Sequence, residues 1–461
     1  MYVSQDEIKA KIDEMRARNK AKRDALTDKV CICEYKDLVE DGIWSKAFQR
    51  AIDEHEIIVI PAMDEPYLID TQLVVPSNRH IIAEDGAVIR QAEGVRVLLM
   101  RNEHTHDGTH YPIDTSDRDH NISITGGRWE ESWTHRLGYG RTGMYDMQRS
   151  LYGVTTFMLF NNIEGLNLEN MTFSQTSGFS VQTGDAYDMV FEHIRFVRCF
   201  ADGLHINGNT ENIYAYDIKG QVGDDLIALN TYDWLNSSVN YGPGKTIWCE
   251  DLELSADSSY KAFRLQPALY KYDDDSIVDC GLFDVVIKKV RGILTYKMYM
   301  QTPPYRLDGK DKPEWSGLGS MDNVYFDDIE IDLQHPLDMM RMYRESHPVR
   351  GTFAGFEIGA NVGLIHFKNI KMKMYPEKWP MTCAICIGPK SSIENFYNDG
   401  PAEVFDPYLS SYAEKLVLEN FEVNGKKIDT AEGYVKEIKF DDINGDGLST
   451  GEGKFNVIEV I

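Results

Sequence analysis

From Ile57 onward, apolar residues recur at every second position in short runs, and one polar residue interrupts each run before the alternation resumes. The unit reads apolar-x-apolar-x-polar-apolar-x-apolar. Clear copies begin at Leu166 (Leu166, Leu168, Asn170, Met171, Phe173), Met189 (Phe191, His193, Ile194, Phe196), Ile213 (Ala215, Asp217, Ile218) and Ile247 (Cys249, Asp251, Leu252, Leu254). Further copies begin at Val285, Val324, Ile365 and Leu416, and a weaker one at Ile122. Alternation at period two marks half-buried strands. The polar residue breaks the alternation, so each copy predicts two strands meeting at a sharp turn, where Asn and Asp tolerate the left-handed backbone region. The first copies are 23 and 24 residues apart, and later spacings stretch from 34 to 51. A short period with growing insertions fits the coil of a parallel β-helix. A β-sandwich would show hairpin turns of the Asn-Gly kind, and few occur. The expected fold is all-β, a right-handed parallel β-helix (solenoid) with short N-terminal helices.

Helical period is confined to the start. Residues 4–26 predict an exposed, charged helix that Ser4 can cap, with Ile8, Ile12 and Met15 on one face. Residues 44–53 predict a second helix that runs into the strand 57–61 and caps the coils. The division is therefore residues 1–55 as helical segment and cap, and residues 56–461 as the β-helix catalytic domain.

Each coil needs a third strand before the repeated unit. Candidates are Phe179–Val181, Leu204–Ile206, Ile227–Leu229, Phe263–Leu265, Met298–Met300 and Phe356–Ile358. Stacking them predicts outward rows: Ser180, His205, Ala228, Arg264, Tyr299, Glu357; then Gln182, Asn207, Asn230, Gln266, Gln301; and, before the strands, Ser177, Asp202, Asp225, Lys261. Adjacent coils lie about 4.8 Å apart, so neighbours in a row touch.

The third row holds the candidate chemistry. Asp202 and Asp225 are row neighbours, and Asp224 is beside them. Three carboxylates so close cannot all ionise freely, so one should hold its proton. Glycoside hydrolysis needs that pair of states: a protonated acid for the leaving oxygen and a carboxylate to activate water. Turn aspartates or a calcium site are the blander alternatives. The stacking of the trio beside His205 and Arg264 favours catalysis.

These residues resemble glycoside hydrolase family 28, the polygalacturonase family of right-handed β-helices. The match is Phe200-Ala-Asp202-Gly-Leu, then Gly223-Asp224-Asp225 one coil later, where the family has Asn-Thr-Asp and Gly/Gln-Asp-Asp. The stretch from Asp41-Gly through Ile57–Pro61 to Tyr67-Leu-Ile-Asp is also similar, and the likeness covers roughly residues 40–300. It implies Asp224 as general acid, Asp202 and Asp225 holding and activating water, and inversion at the anomeric carbon. The family's Gly-His-Gly has no counterpart, because no His occurs between His205 and His335; His205 is the candidate substitute. The family's Arg-Ile-Lys becomes Arg264-Leu265-Gln266, which removes a Lys that helps bind a uronate carboxylate and leaves Lys261 as the nearest spare cation.

Composition narrows the partners. The net charge of −26 disfavours nucleic acid and anionic membranes, both of which need clustered Lys and Arg. No apolar run is long enough to span a bilayer, and the N-terminal residues show no apolar signal core, so a cytoplasmic enzyme is expected. The seven cysteines are scattered; Cys31–Cys33 and Cys383–Cys386 read as packed thiols rather than redox or zinc sites. His104, His106 and His110 read as a polar loop, and Asp442-Ile-Asn444-Gly-Asp446 as a Gly-rich turn that lacks the closing Glu of a calcium loop. No metal and no cofactor are expected. The amides Asn207, Asn230, Gln266 and Gln301 predict a stacked ladder. The aromatics Trp234, Tyr241, Tyr270, Tyr272, Tyr305 and Trp315 sit in loops that could wall a sugar cleft.

The expected function is an inverting, exo-acting hydrolase of a soluble oligosaccharide, galacturonic-acid-containing ones included, with Asp202, Asp224 and Asp225 catalytic. His205, Arg264, Lys261, Gln266, Trp234 and Tyr299 are expected to bind substrate. A β-helix uronate lyase or epimerase, using Arg264, Lys261 or Tyr299 as base, and a non-catalytic carbohydrate-binding β-helix are the rival readings.

Overall fold

A computed structural model describes residues 2–95, 97–106, 116–131, 156–233, 239–255, 263–271, 276–293, 298–301, 316–333, 353–378, 382–388, 410–437 and 452–461. These residues are mostly strand. Their helices are α1 (Gln5–Asp24), α2 (Ser45–Glu54) and one 3-10 segment, Ile32–Leu38.

Each repeated unit behaves as its polar centre predicts. Asn170, His193, Asp217, Asp251, Lys289, Asp328, Asn369 and Asn420 all have φ between 50° and 59°, so the backbone turns there and the alternation restarts on the far side. The half-unit before the turn pairs in parallel with the same half of the next unit, as Met189 with Ile213 and Ile213 with Ile247. The half after it does likewise, as Ile194 with Ile218 and Ile218 with Leu252. A further parallel ladder runs through Leu204–Asn207, Ile227–Asn230, Phe263–Leu265, Met298–Gln301, Phe353–Gly359 and Thr382–Ile387. The inward-facing residues of these ladders form one continuous apolar cluster from Val30 to Phe455. Ala268–Lys271, Ile277–Cys280 and Ser316–Leu318 add a small antiparallel sheet within the insertions.

α2 places Ala47, Phe48, Ala51 and Ile52, all fully buried, in the same cluster beside Ile58 and Tyr67. α1 differs from the exposed helix expected. Its capping box between Ser4 and Glu7 is present, but Ile8, Ile12 and Met15 are fully buried. They pack on an outward row, Val190, Tyr214, Trp248, Val286 and Tyr325, whose members are paired one strand to the next. At one end of the helix Asn323 Nδ2 donates to the Val3 carbonyl; at the other Asn121 Nδ2 donates to the Lys22 carbonyl. Twenty helical residues span about 30 Å, and the six strand-to-strand steps from Asn121 to Asn323 span about 29 Å, so the helix matches the length of the wall it covers.

One predicted register is off by two. Val181, not Phe179, pairs with Leu204, so Gln182 and not Ser180 lies beside His205. The same offset puts Phe179, not Ser177, beside Asp202. A two-residue slip keeps every side chain on its own face, so alternation alone cannot detect it. Cys383 and Cys386 are buried against Ala354. Among the described residues no helix is long and apolar enough to cross a membrane.

Candidate active site

Two consecutive turns build the centre. The first, ending in Asp202, leads into Leu204–Asn207; the second, carrying Asp224 and Asp225, leads into Ile227–Asn230. The turns touch directly: a Cβ on Gly223 would fall 2.3 Å from the Phe200 carbonyl oxygen, so this contact requires glycine. The Asp225 N–H donates to Asp202 Oδ1 at 3.0 Å, and the Gly203 N–H donates to the Asp225 carbonyl at 2.9 Å. Carboxylate oxygens of Asp202, Asp224 and Asp225 thereby come within 4.8 Å of one another, with the residues 2%, 7% and 0% exposed.

Two cations face the trio. Arg264 lies on the row of His205 and Ala228, and the small Ala228 between them leaves room for the guanidinium. Its Nε is 2.8 Å from Asp225 Oδ2, and its NH2 is 3.5 Å from Asp224 Oδ1. His205 Nδ1 is 2.6 Å from Asp202 Oδ2, and its ring stacks on Phe179 with centroids 3.8 Å apart. Burial alone would lower the His205 pKa. Hydrogen bonds with Asp202 and Asp233 outweigh that and raise it to about 9. The imidazolium is therefore the neutral-pH form, and both of its N–H groups donate.

Asp233 was not expected. Its Oδ2 lies 2.9 Å from His205 Nε2 and accepts from Asn230 Nδ2 at 3.0 Å, while Oδ1 accepts from Gln266 Nε2 at 3.2 Å. The amides thus depart from a simple ladder. Gln182 donates to Asn207 and Asn207 to the Asn230 carbonyl, but Asn230 and Gln266 converge on Asp233. Asp233 follows its strand by three residues, outside the alternation, and one sequence offers no signal for it. Glu131 was also unexpected. It directly follows the strand Asp119–Glu130, its N–H donates to the Ser174 carbonyl, and its carboxylate accepts from the Ser177 N–H. Burial pushes its pKa up to about 8, against the opposing pull of Ser177.

The structure brings together Asp202, Asp224, Asp225, His205, Arg264 and, through Asp233, Gln266. Lys261 and Trp234 lie outside the described residues, as do Tyr272, Tyr305, Trp315, His110 and the Asp442 loop. The Tyr299 backbone pairs with Arg264 and Glu357, and its side chain, like that of Tyr270, lies outside the description. Tyr241 is no open cleft wall: it stacks on Tyr232 in a buried cluster with Ala268 and Cys280. The two rings face separate carboxylates, His104 Nδ1 at 2.9 Å from Asp119 and His106 Nε2 at 3.6 Å from Asp117, and the His106 backbone N–H donates to Asn161 Oδ1. The aspartate trio has the oxygen donors of a cation site, but Arg264 and His205 already place positive charge against it.

The sequence matches no family model and no curated protein. Among solved structures the chain is similar to a hyperthermoactive exopolygalacturonase from Thermotoga maritima, at 11% identity over 97% of this chain and 96% of that one, with a TM-score of 0.48. It is similar to the family 28 exopolygalacturonase of Yersinia enterocolitica, at 14% identity over 94% and 78%, with a TM-score of 0.49. It is also similar to the surface adhesin PfbA of Streptococcus pneumoniae, at 12% identity over 87% and 94%, with a TM-score of 0.40. Likeness at this level spans enzymes and an adhesin, so function has to be argued from the site itself.

Proposed function

We propose that the ladders wind as a right-handed parallel β-helix and that the chain is a glycoside hydrolase of soluble oligosaccharides, with Asp224 as general acid and Asp202 and Asp225 as the carboxylates that hold and activate water. The observation that carries this reading is the unequal support of three clustered carboxylates. Asp225 has the Arg264 Nε at 2.8 Å, and Asp202 has both the Asp225 N–H and the His205 imidazolium, so each is supported as an anion. Asp224 stands farther from the guanidinium, with the Arg264 NH2 at 3.5 Å, and is the most exposed of the three. It is the member best placed to carry a proton and deliver it to a leaving oxygen. The family 28 resemblance assigns the same roles.

The insertions that lengthen after residue 231 support closure of one groove end and hence exo action on short chains. The missing family Lys at Gln266 and the charge of −26 support neutral or singly charged sugars over a polyanion. Arg264, engaged by two aspartates, is held protonated and is a poor base, which weighs against a lyase or epimerase that relies on it. The test is a panel of neutral and uronic-acid oligosaccharides scored for new reducing ends. Turnover that Asp224→Asn abolishes is expected; equal turnover by both proteins on every sugar would overturn the reading.

Carboxylates that hold and activate water go with inversion at the anomeric carbon, as the family 28 resemblance has it, and proton NMR of the first-formed anomer tests this.

A further inference from the structure

We propose that Asp233 is a positioning residue which, acting through His205, holds Asp202 in place and keeps it an anion. This rests on the glycosidase reading of Asp202 and extends it to a residue that reaches Asp202 through His205.

The contacts form an unbroken chain. Gln266 and Asn230 each donate one amide hydrogen to Asp233, and together they fix the carboxylate plane from two successive strands. Asp233 Oδ2 then receives His205 Nε2 at 2.9 Å, and on the other side of the ring Nδ1 reaches Asp202 Oδ2 at 2.6 Å. Asp202 Oδ1 is taken by the Asp225 N–H. The ring cannot turn without leaving the stack on Phe179, whose plane is tilted only 9° from its own. Asn207 Nδ2 is 3.4 Å from Nε2 but directs its hydrogen bond to the Asn230 carbonyl, 3.1 Å away.

The electrostatics need both anions. His205 is 1% exposed, and burial works against its charge. The charged groups facing it among the described residues are Asp202, from the turn before its own strand, and Asp233, from the segment after Ile227–Asn230. The facing groups from the Phe179 strand are an aromatic ring and the neutral Gln182. Arg264, from the strand Phe263–Leu265, is turned to Asp224 and Asp225. With both carboxylates in place the imidazolium survives to a pH of about 9. Without the Asp233 charge, Nε2–H faces a neutral group in a buried site, the proton is released at lower pH, and Asp202 loses its fixed cation. A buried His between two carboxylates, one of them outside the reacting trio, has this consequence whatever the sugar.

The test uses Asp233→Asn in the full chain, with two readouts. The first needs no substrate: NMR titration of isotope-labelled histidine, with His205→Gln to assign the signal. Wild-type His205 should stay charged through neutral pH, and its midpoint should fall by at least about one unit in Asp233→Asn, a tenfold change in proton affinity. The second is the pH–rate profile. Asp233→Asn should work within about threefold of wild type near pH 5.5, and its deficit should deepen by roughly a further threefold near pH 8.5 and approach tenfold above pH 9, as a one-unit fall from about 9 requires. A wild-type His205 found neutral at pH 7 would overturn the proposal without any variant. So would an unchanged midpoint in Asp233→Asn, or a rate loss uniform across pH. If no sugar is turned over by the wild type, the glycosidase reading fails, and the titration still decides whether Asp233 holds the charge on His205.

Discussion

The wall under α1 and the wall that carries the aspartates belong to the same stack of parallel strands, yet they use charge in opposite ways. Under α1 the apolar work is done by Ile8, Ile12 and Met15, and the ion pairs sit around the rim. Arg16 meets Glu192 and Asp13, Arg18 meets Asp188 and Glu14, and Arg23 meets Glu169, in open pairs whose arginines are 16–46% exposed. Among the described residues of the candidate site, four buried carboxylates, Asp202, Asp224, Asp225 and Asp233, stand against the cations Arg264 and His205. The first arrangement orients a helix at little electrostatic cost, because water screens each pair. The second crowds carboxylates in a buried site, where burial and like charge both favour the protonated form. Open pairs at a rim support structure, and crowding in a buried cluster is what the proposed proton transfer would draw on.

Substitutions on the two walls should have effects of different size and kind. The largest effect should come from Asp224→Asn, which keeps size and hydrogen bonding but cannot deliver a proton. Turnover should fall by about 10²–10⁴-fold with an unchanged circular dichroism spectrum. Near-normal release of reducing ends would remove Asp224 from the role and erase the contrast between the walls. On the α1 side, Ile12→Ala should lower stability by about 2–5 kcal/mol in urea unfolding, the cost of an emptied apolar site. A loss below about 0.5 kcal/mol would mean that the helix is not docked in solution.

Glu131 extends the contrast to pH. The folded protein holds this proton up to about 8, whereas the unfolded chain releases it near 4.5. Its contribution to stability is complete below about 4.5 and is lost as pH rises from there to about 8. Glu131→Gln, always neutral, should therefore be less destabilised than wild type between pH 5 and 8, by on the order of a few kcal/mol. Identical pH dependence of the two urea midpoints would contradict this. The smallest effect belongs to the rim: Arg18→Ala should cost less than about 1 kcal/mol, and added salt should shrink even that. A loss as large as that of Ile12→Ala would show the two walls to be less different than their burial suggests.

Much of the architecture was legible because strand alternation and turn chemistry are local. The polar centre of each unit, from Asn170 to Asn420, needed only its neighbours to specify a left-handed turn, and parallel pairing follows from aligning successive units. The Asp202, Asp224 and Asp225 cluster was legible for the same reason, since two of its members fall at equivalent positions of consecutive units. Burial of α1 was not. Its apolar face is three residues wide, and only the outward row from Val190 to Tyr325, assembled from five distant strands, gives it a surface to cover.

The sequence by itself determined the strands, their turns and the three aspartates. Each of these depends on alternation within a few residues or on a period carried along the chain. Tertiary structure alone decided the two-residue register at Val181, the docking of α1, and the link from Asp233 through His205 to Asp202. A slip by two leaves the apolar pattern unchanged, a helix face has no partner until separate strands are stacked, and a loop carboxylate carries no periodic mark. What such groups do depends on distances between atoms remote in sequence, and only the folded chain fixes those distances.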